Sequence, residues 1–108
     1  MSFYEILGFR RSWGPFGAEK VTALVHPSGL EINLIVNARE SIAANVLMDV
    51  PEKHAGYTHI ALKIDDVETV EAALAVAEVA ISGRRGEDPT RAVFVRDPDG
   101  NVIELAAD

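Results

Sequence analysis

Cysteine is absent from the 108 residues. That excludes disulfide bonds and thiolate metal ligands and leaves the redox compartment open. Long apolar runs are also missing: none approaches the roughly 20 residues a membrane-spanning helix needs, so no membrane partner is expected. The opening stretch MSFYEILGFRRSW carries Glu5 and no uninterrupted apolar core. It does not read as a secretory signal, and a cytoplasmic protein is expected. Basic residues are scarce, with ten Lys plus Arg against seventeen Asp plus Glu and a formal charge of −7. Nucleic-acid binding rests on phosphate neutralisation by clustered Lys and Arg, so no nucleic acid is expected as a partner. The one arginine-rich stretch, GRRGEDPTR, is interrupted by two acids. It reads as a solvated loop, with a local anion contact as the alternative.

What is present suits one compact α+β domain over residues 1–108, since the chain is too short for two ordinary cores. The clearest segment is in the second half. YTHIALKI alternates as a strand over residues 57–64. DDVETVEAALAVAEV then opens with Asp65 and Asp66, good helix N-caps, and repeats Val67, Val70, Leu74 and Ala77 at helical spacing. A short strand is expected near residues 79–83, RAVFVR is β-rich, DPDG is a turn and NVIELA is a closing strand. The order is β-α-β-β-β. The first half reads as a shortened echo. SFYEILGF ends a helix, GFRRSW is a strand, GPFGAEK a loop, VTALVH a strand, PSG a turn and LEINLIV a strand. HPSGLEINL answers DPDGNVIEL, and such internal repeats define architecture. The division is therefore a truncated first module over residues 1–37, a linker over 38–56 with a helical turn around residues 41–46, and a complete module over 57–108.

Period-two alternation assigns faces. Ile103 and Leu105 share one face of the last strand, and Val102, Glu104 and Ala106 the other. Leu30, Ile32, Leu34 and Val36 form an apolar face opposite Glu31, Asn33 and Ile35. Thr58, Ile60, Leu62 and Ile64 lie opposite His59, Ala61 and Lys63. Three strands thus have one face suited to covering helices and another bearing a single ionisable group: Glu31, His59 or Glu104. Taken alone, a strand histidine is more often hydrogen-bonded or exposed than a ligand, and a strand glutamate more often faces solvent. Taken together, carboxylates and an imidazole converging on a concave sheet suit a divalent metal. His26 in a turn and His54 in the linker read as surface residues. With one Trp, two Tyr and four Phe, most rings are expected in the core. Trp13, beside a Gly-Pro pair, is the candidate for a ring facing a ligand.

FYEILGF, HPSGLEINLI, GYTHIALKIDDVE and FVRDPDGNVIEL together cover nearly the whole chain and resemble the vicinal oxygen chelate superfamily. That group takes in glyoxalase I, bleomycin- and fosfomycin-resistance proteins and extradiol dioxygenases. The resemblance implies paired βαβββ modules whose curled mixed sheet surrounds a cavity, here with the N-terminal strand of the first module missing. It carries a metal site onto Glu31, His59 and Glu104, with a divalent ion (Zn, Ni, Mn or Fe). It implies a metal-dependent small-molecule enzyme, most like a glyoxalase-type, lactoylglutathione lyase-like isomerase acting on vicinal oxygens, with Glu104 or Glu31 as base. A dioxygenase is less favoured, because only one histidine is well placed. The alternative is a metal-free small-molecule or drug-binding protein of the bleomycin-resistance type, its cavity lined by Trp13, Phe16, Asn33, Ile35 and Phe94. A regulatory βαβ sensor outside this superfamily would explain the element order but not the two turn–strand units. A strand missing from the first module leaves an edge to be covered, so a homodimer is expected.

Overall fold

A computed structural model describes residues 3–18, 20–35, 45, 47–52, 55–85 and 91–107. It divides into two compact units, Met1–Ser41 and Ile42–Asp108. Each follows from its own local chemistry.

In the first unit, α1 (Phe3–Ile6) precedes β1 (Arg10–Phe16), β2 (Val21–Val25) and β3 (Glu31–Leu34). The strands form an antiparallel sheet in the order β1-β2-β3. An aromatic ladder fastens α1 to it: Phe3, Tyr4, Phe9 and His26 meet at ring-centroid distances of 5.1, 5.5 and 5.0 Å in turn. Tyr4 and Phe9 are buried. His26 is therefore half-buried rather than the surface residue expected from its turn. The expected loop at Gly14-Pro15-Phe16 is instead the end of β1. This edge strand tolerates proline because its outer N–H groups have no ladder partner. It bends through register shifts on either side of Trp13. Gly14 makes the bend feasible: its φ is +96°, and a Cβ there would collide with the Val21 carbonyl oxygen.

The second unit has the order expected from sequence: β4 (His59–Lys63), α2 (Val67–Val76), β5 (Gly83–Arg84), β6 (Ala92–Arg96) and β7 (Val102–Ala106). Its sheet runs β4-β7-β6-β5, with β4 and β7 parallel and the other pairs antiparallel. Asp66 caps α2, its carboxylate accepting the backbone N–H groups of Glu68 and Thr69. The helix stops three residues short of the expected Val79. Glu78 takes a left-handed φ of +61°, and the N–H of Val79 bonds back to the Leu74 carbonyl at 2.9 Å. That return is a Schellman-type closure built without glycine, which is why composition did not mark it. The expected strand near residues 79–83 correspondingly begins only at Gly83.

The strand register tells the sheet's faces apart. Leu62, Val93, Val95, Ile103 and Leu105 share one side and are all buried, as are Val67 and Leu74 of α2. A full burial of such a side chain contributes about 1.5–3 kcal/mol. Arg84 shares the face of its partner Val93 and forms an ion pair with Glu71 of α2. The helix therefore covers this side, and His59, Phe94 and Glu104 project from the other. The helical turn expected around residues 41–46 lies outside the described residues except for Asn45.

The internal repeat is visible atom by atom in the two turns. His26 N–H donates to the Leu30 carbonyl at 2.8 Å, and Asp97 N–H to the Asn101 carbonyl at 2.9 Å. Gly29 N–H reaches the His26 carbonyl at 2.8 Å as Gly100 N–H reaches that of Asp97 at 2.9 Å. The side chains correspond as well. His26 Nδ1 accepts Ser28 N–H at 3.1 Å, where Asp97 Oδ1 accepts Asp99 N–H at 3.0 Å.

Candidate functional site

The register of the second sheet draws a row of residues across one face: Ala61, Glu104, Phe94 and Gly83 are successive strand partners. His59 precedes Ala61 by two, so it shares this face and lies diagonal to Glu104, within reach of long side chains. Its Nε2 lies 3.0 Å from Glu104 Oε1, across 45 residues of sequence. His59 Nδ1 lies 2.7 Å from the Thr58 hydroxyl. The ring meets Phe94 edge-on, with centroids 5.3 Å apart and planes at 77°.

Glu104 is 6% exposed. A carboxylate removed from water is costly unless it is paired and hydrogen-bonded. His59 supplies one partner, and Arg85 the other, with Nη1 at 3.3 Å from Oε2. Both carboxylate oxygens are thus engaged. Two of the arginines of GRRGEDPTR pair within the chain, Arg85 with Glu104 and Arg84 with Glu71.

A second group of bonds holds the segment beneath His59. Asn45 Nδ2 donates to the Thr58 carbonyl at 2.6 Å, while its Oδ1 accepts the N–H groups of Leu47 and Met48. Asp49 accepts Asn45 N–H at 2.7 Å and binds Arg96 through two bonds of 2.7 and 2.9 Å. The Arg96 guanidinium, aided by the Asn45 N–H, holds the Asp49 carboxyl at about 2. Sequence reasoning missed Asn45, Arg85 and Thr58 as supports. Thr58 stands next to the singled-out histidine, but nothing local tells which way its hydroxyl turns.

The first unit carries the other candidates. Trp13, Ala23 and Asn33 form a row across its sheet, and Glu31 pairs with Val25. Trp13, Phe16 and Ile35 are exposed at 45%, 73% and 58%, and Asn33 and Glu31 are exposed too. With the equivalent turns superposed in register, Ala23–Asn33 answers Phe94–Glu104, while Val25–Glu31 answers Arg96–Val102. Asn33, not Glu31, therefore occupies the repeat position of Glu104. An open cavity of about 600 Å³ in this unit is lined by Glu5, Phe9, Arg10, Arg11 and Leu24, none of them a candidate from sequence.

An imidazole nitrogen and a carboxylate oxygen that meet at 3.0 Å form a donor set suited in kind to Zn, Ni, Mn or Fe. Among the described residues no three His, Asp or Glu side chains gather to hold an ion. Among the described residues, too, no helix is long and apolar enough to cross a membrane.

The family model described as the Glyoxalase/Bleomycin resistance protein/Dioxygenase superfamily matches residues 1–105. No curated protein matches the sequence significantly. Among solved structures, the chain is similar to a glyoxylase/bleomycin resistance protein/dioxygenase domain from Frankia sp. EAN1pec. Identity is 20%, the TM-score is 0.68, and the match covers 96% of this chain and 76% of that one. It is similar to a lactoylglutathione lyase from Agrobacterium tumefaciens, at 17% identity and TM-score 0.61, covering 96% and 78%. It is also similar to TnmS3, an antibiotic-binding protein from Streptomyces sp. CB03234, at 23% identity and TM-score 0.62, again covering 96% and 78%. At these identities the likeness establishes the fold.

Proposed function

The chain belongs to the Glyoxalase/Bleomycin resistance protein/Dioxygenase superfamily, and on that premise we propose that it is a metal-dependent small-molecule enzyme catalysing a glyoxalase-type isomerisation. The observation that carries this reading is the convergence of His59 Nε2 and Glu104 Oε1 at 3.0 Å on the face away from α2. A divalent ion held by these two donors would supply Lewis acidity toward a substrate with neighbouring oxygens. Glu31 is the first-module donor and second candidate base that the resemblance implies.

The chain's own groups divide the remaining work. Glu104 accepts the proton from one substrate carbon and returns it to the next, while the hydroxyl proton of the first carbon passes to the carbonyl oxygen of the second, so the isomerisation is redox-neutral and consumes no co-reactant. A positioned acid–base group of this kind contributes ~10²–10⁴-fold. Arg85 holds Oε2 and so fixes the direction of Oε1. Phe94, packed edge-on to the imidazole, limits its rotation and screens it from water.

Elemental analysis of purified protein, followed by titration with Mn²⁺, Ni²⁺ and Zn²⁺, tests the reading. Roughly one ion per chain and loss of turnover of 2-oxoaldehyde hemithioacetals in Glu104→Gln are expected. Failure to bind any of the three ions would reject it.

A second reading, a metal-free drug-binding protein, is favoured by the exposure of Trp13 and Phe16 on one sheet and by the similarity to the antibiotic-binding structure. It predicts quenching of Trp13 fluorescence by a cationic aromatic drug in the presence of chelator; an unchanged spectrum across a ligand panel would count against it. A homodimer belongs to the proposal as well. β4 ends its sheet and carries Ile60 at 39% exposure beside the fully exposed Tyr57, an edge that favours cover. A monomeric mass by sedimentation would remove this part.

A further inference from the structure

We infer that the open cavity of the first unit is a further binding site, which takes a small organic oxyanion: a carboxylate or phosphate group on an apolar body. The inference is independent of the metal-dependent reading, because the cavity contains none of the residues on which that reading rests.

The cavity sets two guanidiniums over an apolar floor. It is lined by Glu5, Phe9, Arg10, Arg11 and Leu24 and encloses about 600 Å³, within the roughly 300–1,000 Å³ usual for small-molecule pockets. Phe9 is buried and Leu24 half-buried, so carbon forms the base, while Glu5, Arg10 and Arg11 are exposed at the rim. Consecutive strand residues point to opposite faces, which would part Arg10 from Arg11 on a central strand. Here β1 ends the sheet order β1-β2-β3, and an arginine at an edge is long enough to reach round it. The register shift that follows Arg11 adds local twist to the strand.

Ion pairing singles these two arginines out. Arg84, Arg85 and Arg96 each meet a carboxylate of the chain: Glu71, Glu104 and Asp49 in turn. Among the described residues, Arg10 and Arg11 take part in no ion pair or side-chain hydrogen bond. Seventeen acids against ten bases make two adjacent unpaired cations an exception in this chain. Their like charges repel, and an oxyanion between them replaces repulsion with attraction. The guanidinium fork matches carboxylate and phosphate oxygens in pairs, and an apolar body fits against Phe9 and Leu24. Glu5 sets the limit: a further anionic group on the ligand would meet its carboxylate, so the ligand carries one.

Register separates this cavity from the exposed aromatic surface of the same sheet. Trp13, Ala23 and Asn33 form one row. Leu24 follows Ala23 by one residue and pairs with Arg11, so these two face the opposite side. An occupant against Leu24 therefore lies across the sheet from Trp13 and Asn33.

The experiment titrates full-length protein with phenyl phosphate, benzoate and inorganic phosphate, with chelator present and again with Zn²⁺. Calorimetry reads affinity, and ¹H–¹⁵N spectra follow the arginine Nε–H groups, identified by their loss in Arg10→Gln and Arg11→Gln. Saturable binding of an aromatic anion is expected to move both Nε–H resonances, to weaken with added salt and to need no zinc. The tighter of the two aromatic anions identifies the head group. Each glutamine variant should bind it roughly 5- to 10-fold more weakly, as befits a charge-assisted bond at an exposed rim. Glu5→Gln should bind it more tightly. Neither aromatic anion binding at millimolar concentration, or both arginine variants binding like wild type, would overturn the site. Inorganic phosphate binding as tightly as phenyl phosphate would overturn the role of the apolar floor. Binding that requires zinc would assign the anion to the metal site instead. Should a glutamine variant not fold, the corresponding lysine variant replaces it: the charge stays, the fork is lost, and weaker binding is again expected.

Discussion

Glu104 offers the sharpest separation of structural from chemical roles, because two substitutions remove different things. Glu104→Ala deletes the acceptor for His59 Nε2–H and the counter-charge of Arg85 at a position only 6% exposed. An orphaned buried donor costs about 1–3 kcal/mol, and breaking a wholly buried ion pair about 3–5 kcal/mol. Arg85 has a side-chain exposure of 42%, so water takes over much of its share. The expected loss is about 2–3 kcal/mol, and at about 4–8 °C per kcal/mol the midpoint of unfolding falls by roughly 8–24 °C. Glu104→Gln keeps the shape and an amide oxygen that still accepts from Nε2–H. It loses a charge-assisted bond to Arg85 but also the cost of holding a charge away from water, so its stability stays within about 1 kcal/mol of wild type. Both variants are nevertheless expected to lose divalent-ion binding, because the charged ligand is gone. Thermal unfolding in chelator followed by calorimetric titration with Mn²⁺ or Zn²⁺ reads the two effects separately. A glutamine variant as unstable as the alanine variant would refute the hydrogen-bond argument. One that binds the ion like wild type would refute the site.

The other expectations concern the supports. The Asp49 carboxyl lies at about 2 instead of 3.8, chiefly through its hydrogen bonds to Arg96. Its contribution is therefore complete above pH 3.8 and lost as pH falls through about 2. Acid titration of stability should show this component in wild type and not in Asp49→Asn; equal slopes would dismiss it. Gly14→Ala forces a Cβ toward the Val21 carbonyl oxygen at a φ of +96°. It should destabilise β1 by about 1–3 kcal/mol, measured by denaturant unfolding, and a neutral effect would contradict the assigned bend.

Much of this fold was written in local pattern. The β-α-β-β-β order, the capping by Asp66, the two Xaa-Pro-Xaa-Gly turns and the face carrying His59 and Glu104 all follow from period, turn chemistry and capping, which act over a few residues. Periodicity gives a side chain's face but not its neighbour. That β7 inserts between β4 and β6, bringing Glu104 to His59 across 45 residues, is a matter of sheet topology. The choice by Arg85 of Glu104 as its anion, and by Asn45 of the Thr58 carbonyl, likewise depends on which strands pair. The early end of α2 was hidden because a glutamate, rather than a glycine, takes the left-handed position at residue 78. The matching of Asn33 with Glu104 emerged only from the ladders, because a glutamate two residues away on the same face offers the same alternation. Short-range rules thus determined the elements and their faces, and long-range pairing alone decided which polar groups share a site.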